Sequence, residues 1–142
     1  MIRSYGKNDL EAMVKIWYEA SVTAHSFVPA SFWASQKNAM KETYLPLAEN
    51  FIFEEHGQPA GFISLVGEKV CALFVAPEMQ GRGIGRTLLE YAKTLKGRLC
   101  LKVYRENERA LHFYEKCGFV AAGEEIDEYT GCMQVLMEWE RI

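Results

Sequence analysis

Apolar positions change their period twice along the chain. Leu10, Met13, Val14 and Trp17 share one side of a helical wheel, with Asn8 or Asp9 where a cap belongs, so the pattern predicts a helix over 8–22. "TAHSFVPA" (23–30) breaks it. Helical character resumes over 31–50, where Pro46 marks a kink or an end. Beyond Asn50, "FIFEE", "AGFISLVG" and "KVCALFVAP" are rich in β-branched and aromatic residues, parted by "HGQP" and "GE": a three-strand meander with tight turns. A new helical stripe, Ile84, Leu88, Ala92 and Leu95, predicts a helix over about 83–95, and "RLCLKVY" (98–104) reads as a strand. In "NERALHFYEKCGF", Asn107 stands as N-cap, Ala110, Phe113, Tyr114 and Cys117 face inward, and Gly118 ends the helix. "FVAAGEEI" and "CMQVLMEWE" close the chain as strands around "DEYTG". With "MIRSYG" as a first strand, the order is β-α-α-β-β-β-α-β-α-β-β, an α/β chain whose mixed sheet carries helices on its faces.

Composition narrows the classes. A chain of 142 residues buries one sizeable core, so residues 1–142 are expected to form a single domain. The net charge of -3 lacks the basic footprint of a nucleic-acid binder, and no apolar run approaches a membrane span. "MIRSYGKNDL" has no apolar stretch of the signal-peptide kind. Cys71, Cys100, Cys117 and Cys132 form no C-x-x-C pair, which argues against a zinc site or a redox motif. The expectation is a cytoplasmic protein with reduced thiols, no metal, and neither nucleic acid nor membrane as partner.

Between a strand and a helix lies "QGRGIG" (80–85), followed by Arg86. Glycines let backbone N–H groups converge, a helix N-terminus adds unpaired donors and partial positive charge, and Arg82 and Arg86 add full charge; a phosphate or pyrophosphate suits such a place. A glycine-rich surface turn without a ligand would read the same over six residues. A Walker A loop needs G-K-S/T, whereas "GRT" follows here, and a dinucleotide fingerprint needs G-x-G-x-x-G, whereas Gly81, Gly83 and Gly85 alternate.

The segment does match Q/R-x-x-G-x-G/A, the pyrophosphate loop of the GNAT acetyltransferase superfamily, as Gln80-Gly81-Arg82-Gly83-Ile84-Gly85. "ALFVAPEMQ" before it, "NERALHFYEKCGF" after it and the element order extend the resemblance over the whole chain. "TAHSF" and "GEKVCALFVAP" make it most similar to small bacterial members of the YiaC and YjaB type. The resemblance implies the GNAT acyl-CoA N-acyltransferase fold and acetyl-CoA as co-substrate. In it, Leu73, Phe74 and Val75 pair with the pantetheine arm in a gap between strands four and five, opened as Pro77 and the loop draw the chain away. Amides of residues 81–86 hold the pyrophosphate. Asn107 bonds the pantetheine or caps its helix, and both roles are compatible. Tyr114 gives a proton to the departing CoA thiolate, a task suited to a phenol with a pKa near 10; packing within its apolar stripe is the alternative.

The base is less plain. An amine of pKa about 10.4 must lose a proton before it attacks. Many members place a glutamate in the fifth strand for this, and by alignment that position is Lys102. His25, with a suitable intrinsic pKa, Glu68 or an ordered water could replace it. His56 falls in a turn and His112 faces solvent. Glu124, Glu125, Asp127 and Glu128 form either an acidic rim that draws cationic amines or a solvated hairpin tip. Phe27, Phe32, Trp33 and Tyr129 are candidate pocket walls. The resemblance thus implies direct transfer of acetyl from acetyl-CoA to a primary amine, a protein lysine or a small molecule. The alternative is an acetyl-CoA-binding sensor without chemistry, which Lys102 alone supports. Homodimers through a sheet edge or helix face are common in such folds, and nothing in the sequence selects one.

Overall fold

The strands are β1 (Ile2–Ser4), β2 (Glu49–Glu55), β3 (Gln58–Val66), β4 (Lys69–Val75), β5 (Arg98–Tyr104), β6 (Val120–Ile126) and β7 (Met133–Glu140). In the computed structural model, which describes residues 1–142, they form one mixed sheet ordered β1-β2-β3-β4-β5-β7-β6. The helices are α1 (Leu10–Ala24), α2 (Ala30–Ser35), α3 (Lys37–Ala39), α4 (Leu45–Leu47), α5 (Ile84–Leu95) and α6 (Glu108–Lys116). The element order is the one the hydrophobic pattern predicts, and the mixed sheet carries helices on both faces.

Two departures have local causes. The single helix expected over 31–50 is a broken series in which a π-helical turn, Met40–Tyr44, joins α3 to α4, and Glu49 already belongs to β2. Pro46 sits at the start of α4, where it has no N–H to extend the preceding ladder and its ring crowds the turn before it. Leu95, expected on the buried stripe, is 44 % exposed; it is the last residue of α5 and overhangs the core that Ile84, Leu88, Leu89 and Ala92 fill.

Each face of the sheet has its own core. Ile63, Leu65, Leu99 and Leu101 pack with Leu88 and Leu89 of α5 on one face. Ile52 and Phe62 pack with Met13 and Trp17 of α1 and Trp33 of α2 on the other. This double cover explains why β3 reads as a nearly continuous apolar run.

The feature that positions the site lies in β4. It runs parallel to β5, yet the two pair at one position only, Lys69 opposite Cys100, where the Cys100 N–H donates to the Glu68 carbonyl at 3.0 Å. On its other side, the register against β3 slips from Leu65–Val70 to Ser64–Ala72, leaving Cys71 as an extra, bulged residue. A regular strand would point Val70 and Ala72 to the same face; instead Val70 joins the α5 core and Ala72 the α1 core. Past the bulge the strands separate. The gap therefore begins at Cys71, well before Pro77 and the loop expected to open it.

Candidate active site

The gap opens at the carboxyl ends of β4 and β5, the usual ligand-binding end of parallel strands. It leads into a cleft of about 790 Å³, lined by Leu73, Phe74, Val75, Gln80, Gly81, Gly83, Ile84, Gly85, Arg86, Asn107, Tyr114 and His25. Of the site residues expected from sequence, only Arg82 is absent from this lining; it is exposed.

Main chain forms one wall. An ideal Cβ on Gly61 would lie 2.9 Å from the Phe74 carbonyl, so that carbonyl faces β3. By the alternation of a ladder, the polar groups of Leu73 and Val75 face the gap. The Gln80 side chain donates to the Val75 carbonyl at 3.1 Å, which ties the loop back to the strand. Gly81 and Gly83 adopt φ of +82° and +80°, left-handed conformations that need glycine, and Gly83 is the N-cap of α5. The first-turn N–H groups of α5 have no intrahelical acceptor and open on the cleft. Gly61, unremarked in the sequence, lets this end of α5 approach: its Cβ would also lie 3.2 Å from Ile84 Cγ2 and 3.3 Å from Val75 Cγ2. A glycine inside an apolar strand run was the available signal.

Side chains form the opposite wall. Asn107 caps α6, its Oδ1 accepting from the Ala110 N–H at 3.2 Å. Its amide group must then donate, and it meets His25 Nε2 at 3.2 Å. His25 Nε2 is therefore the accepting nitrogen and Nδ1 carries the proton. Burial pushes the His25 pKa down to about 4, which leaves the ring neutral at pH 7. Tyr114 packs against Phe113 and Phe119, with ring centroids 5.1 and 5.6 Å away. Burial, with a smaller push from Cys117, raises its phenol above the ordinary tyrosine range, so it stays protonated.

A second cavity of about 250 Å³ lies on the α1–α2 side of the gap and shares Leu73, Phe74, His25, Asn107 and Tyr114 with the first. Trp17, Trp33 and Tyr104 supply aromatic walls, with His25 5.4 Å from Trp33 and 5.0 Å from Tyr104 between ring centroids. Phe27 packs on His25 and Tyr104, and Phe32 on Trp33, whereas Tyr129 is 73 % exposed and lines neither cavity. Lys102 lines this cavity and forms an ion pair with Glu125 of β6. Glu68 lies at the paired end of β4 and β5, outside both cavities.

The acidic segment is mostly committed to internal partners. Glu124 pairs with Arg105 at 3.4 Å, and Asp127 accepts from Tyr104 Oη at 2.6 Å, Thr130 Oγ1 at 2.9 Å and the Tyr129 N–H at 3.1 Å. Those hydrogen bonds outweigh desolvation, the largest single influence, and hold the Asp127 carboxyl below its ordinary range. No helix is long and apolar enough to cross a membrane, and no three His, Cys, Asp or Glu side chains converge as a metal site would require.

Known proteins resemble this chain in sequence and fold. Residues 46–121 match the family described as Acetyltransferase (GNAT) domain. The chain is 36% identical over 120 residues to the peptidyl-lysine N-acetyltransferase YiaC of Escherichia coli, covering 84% of this chain and 82% of that one. It is 33% identical over 129 residues to the Escherichia coli peptidyl-lysine N-acetyltransferase YjaB, covering 89% of this chain and 87% of that one. The apo solution structure of YjaB superposes with a TM-score of 0.88 at 29% identity, covering 100% of this chain and 98% of that one. PaiA N-acetyltransferase of Thermoplasma acidophilum, solved with coenzyme A, shares the fold with a TM-score of 0.83 at 24% identity, over 99% of this chain and 98% of that one. The family match over more than half of the chain, with two relatives above 30% identity along most of it, leaves one conclusion: the chain belongs to the GNAT family of acetyl-CoA-dependent N-acetyltransferases.

Proposed function

We propose that the protein transfers acetyl from acetyl-CoA to a primary amine by direct attack, with Tyr114 as general acid. The observation that carries this reading is the convergence of the unpaired end of β4, the glycine loop at the N-terminus of α5, and Tyr114 on one cleft. The thioester supplies an activated acetyl group. The N–H groups of residues 81–86 suit the pyrophosphate, with Arg86 adding charge, while Leu73 and Val75 offer strand-like partners to the pantetheine arm. Asn107 has one amide hydrogen left for the same arm once Ala110 and His25 are satisfied.

Tyr114 holds the proton that the leaving sulfur takes up. His25 belongs to the site as a hydrogen-bond donor rather than as the base, because its basic nitrogen already accepts from Asn107. The amine proton then leaves through water. Both peptidyl-lysine relatives support a protein lysine as acceptor, and the second cavity supports a small amine. Tyr114→Phe tests the chemistry. Turnover should fall about a hundredfold while acetyl-CoA affinity, measured by calorimetry, stays within about twofold. Unchanged turnover would remove Tyr114 as the acid.

A further inference from the structure

Three parts of the molecule meet at Tyr104, the last residue of β5. Its ring lines the second cavity and packs edge-on against His25 and Phe27, with centroids 5.0 and 5.5 Å away. Its carbonyl accepts from the N–H of Asn107, a residue that lines both cavities, at 2.9 Å. Its hydroxyl turns to the β6–β7 connection and donates to Asp127 Oδ2 at 2.6 Å. Asp127 itself lines neither cavity.

That bond ties the ring to a firm anchor. A hydroxyl-to-carboxylate bond is charge-assisted, and burial, then the bond itself, raises the phenol above the ordinary tyrosine range, so Tyr104 stays a donor. Asp127 also accepts from the Thr130 hydroxyl and the Tyr129 N–H. Its main chain closes the turn: its N–H donates to the Cys132 carbonyl at 2.9 Å, and its carbonyl accepts from the Gly131 N–H at 2.7 Å. A half-buried tyrosine at a strand end has more than one rotamer open to it, and a tie to a residue 23 positions along the chain selects one.

The lining fits one kind of acceptor to that ring. Trp17, Trp33, Phe74 and Leu101 stand with Tyr104 around the cavity, and no Asp or Glu lines it. An apolar stem suits such a wall. A second ammonium along the acceptor would lose its water there with no carboxylate to meet it.

We infer that Tyr104 is the residue that fits the acceptor's apolar stem and that Asp127 is its positioning residue, so that the β6–β7 turn sets acceptor selectivity through the tyrosine ring. The inference rests on the transferase reading above. The acceptor is then a primary amine on an uninterrupted apolar stem, as in a lysine side chain or an arylalkylamine, rather than a polyamine. Contact between ring and stem holds ground state and transition state alike, so its loss raises KM and spares kcat.

The test offers acetyl-CoA with phenethylamine, a lysine peptide blocked at both ends, or spermidine. Phenethylamine or the peptide should exceed spermidine about tenfold or more in kcat/KM. With the better of the two, Asp127→Ala should raise KM about fivefold or more, while kcat, and acetyl-CoA affinity by calorimetry, stay within about twofold. Tyr104→Phe keeps the ring but loses the tie; it should do the same, and the double variant no more than either alone. Asp127→Asn keeps an accepting oxygen and should hold KM within about twofold of native. Tyr104→Phe leaves the turn intact, so it carries the test if thermal melts show Asp127→Ala to be poorly folded. Additive losses in the double variant, an unchanged acceptor KM in the folded single variants, or an equal loss of acetyl-CoA affinity would overturn the positioning role. Preference for spermidine would overturn the apolar stem while leaving the transferase standing. Silence of the native protein across the panel with acetyl-CoA bound would overturn the transferase reading and this inference with it.

Discussion

The two cavities meet at the same wall but are made of different material. The cofactor cleft is mostly main chain: an unpaired strand edge, left-handed glycines and a helix N-terminus. The second cavity is mostly side chain, drawn from α1, α2, β4, β5, α6 and β7. A site built from backbone depends on conformation, so it tolerates many side chains and few changes of φ. A site built from side chains depends on each group that points inward. On the function proposed above, the first serves the co-substrate and the second faces the acceptor.

Perturbations should divide along that line. The largest effect is expected on the side-chain cavity, from His25. Unfolded, its imidazole takes up a proton near the ordinary 6.5; folded, it resists until about 4. Within that window the unfolded chain binds more protons, so stability is lost as pH falls, by up to about 3 kcal/mol. Urea titrations at pH 7, 5.5 and 4.5 should show this slope in the native chain and a flatter one in His25→Gln. An identical slope in both would mean that His25 is not held neutral.

The main-chain cleft should respond next, to Gly61→Ala. The added Cβ would meet the Phe74 carbonyl at 2.9 Å, and backbone yields less readily than a side-chain tip. A loss of about 1–3 kcal/mol is expected by chemical denaturation, with weaker acetyl-CoA binding as α5 is pushed off the strand. Within the loop itself, two neighbouring glycines should behave differently. Gly83→Ala forces a side chain onto φ +80° and should cost about 1–2 kcal/mol. The smallest effect belongs to Gly85→Ala: an added Cβ there makes ordinary contacts with Phe113 Cζ at 3.6 Å and Val75 Cγ2 at 3.7 Å, so stability and cofactor affinity should shift by less than about 0.5 kcal/mol. Equal losses at 83 and 85 would show that side-chain room, rather than backbone conformation, governs the loop.

Legibility in the sequence followed the same division. Element order and the glycine loop were readable because period and turn chemistry are local, and Leu73, Gln80, Gly83 and Tyr114 could be matched to a motif one by one. The acidic segment stayed open between a charged rim and a solvated tip, because local charge says nothing of distant partners. Counting charges at 124–128 cannot reveal that Lys102 and Tyr104 of β5, with Arg105 just beyond it, engage three of them.

By itself, the sequence determined the alternation of strands and helices, the left-handed loop and the helix cap at Asn107, since each depends on bonds within a few residues. Only the tertiary structure decided where β4 leaves β5, because a bulge at Cys71 exists only in register against β3. Only it decided which way the His25 proton points, through an amide 82 residues away. Nor could anything shorter than the whole fold bring Trp17, Trp33 and Tyr104 together around one cavity. Such a space arises where surfaces from distant segments meet, and local propensity carries no record of that meeting.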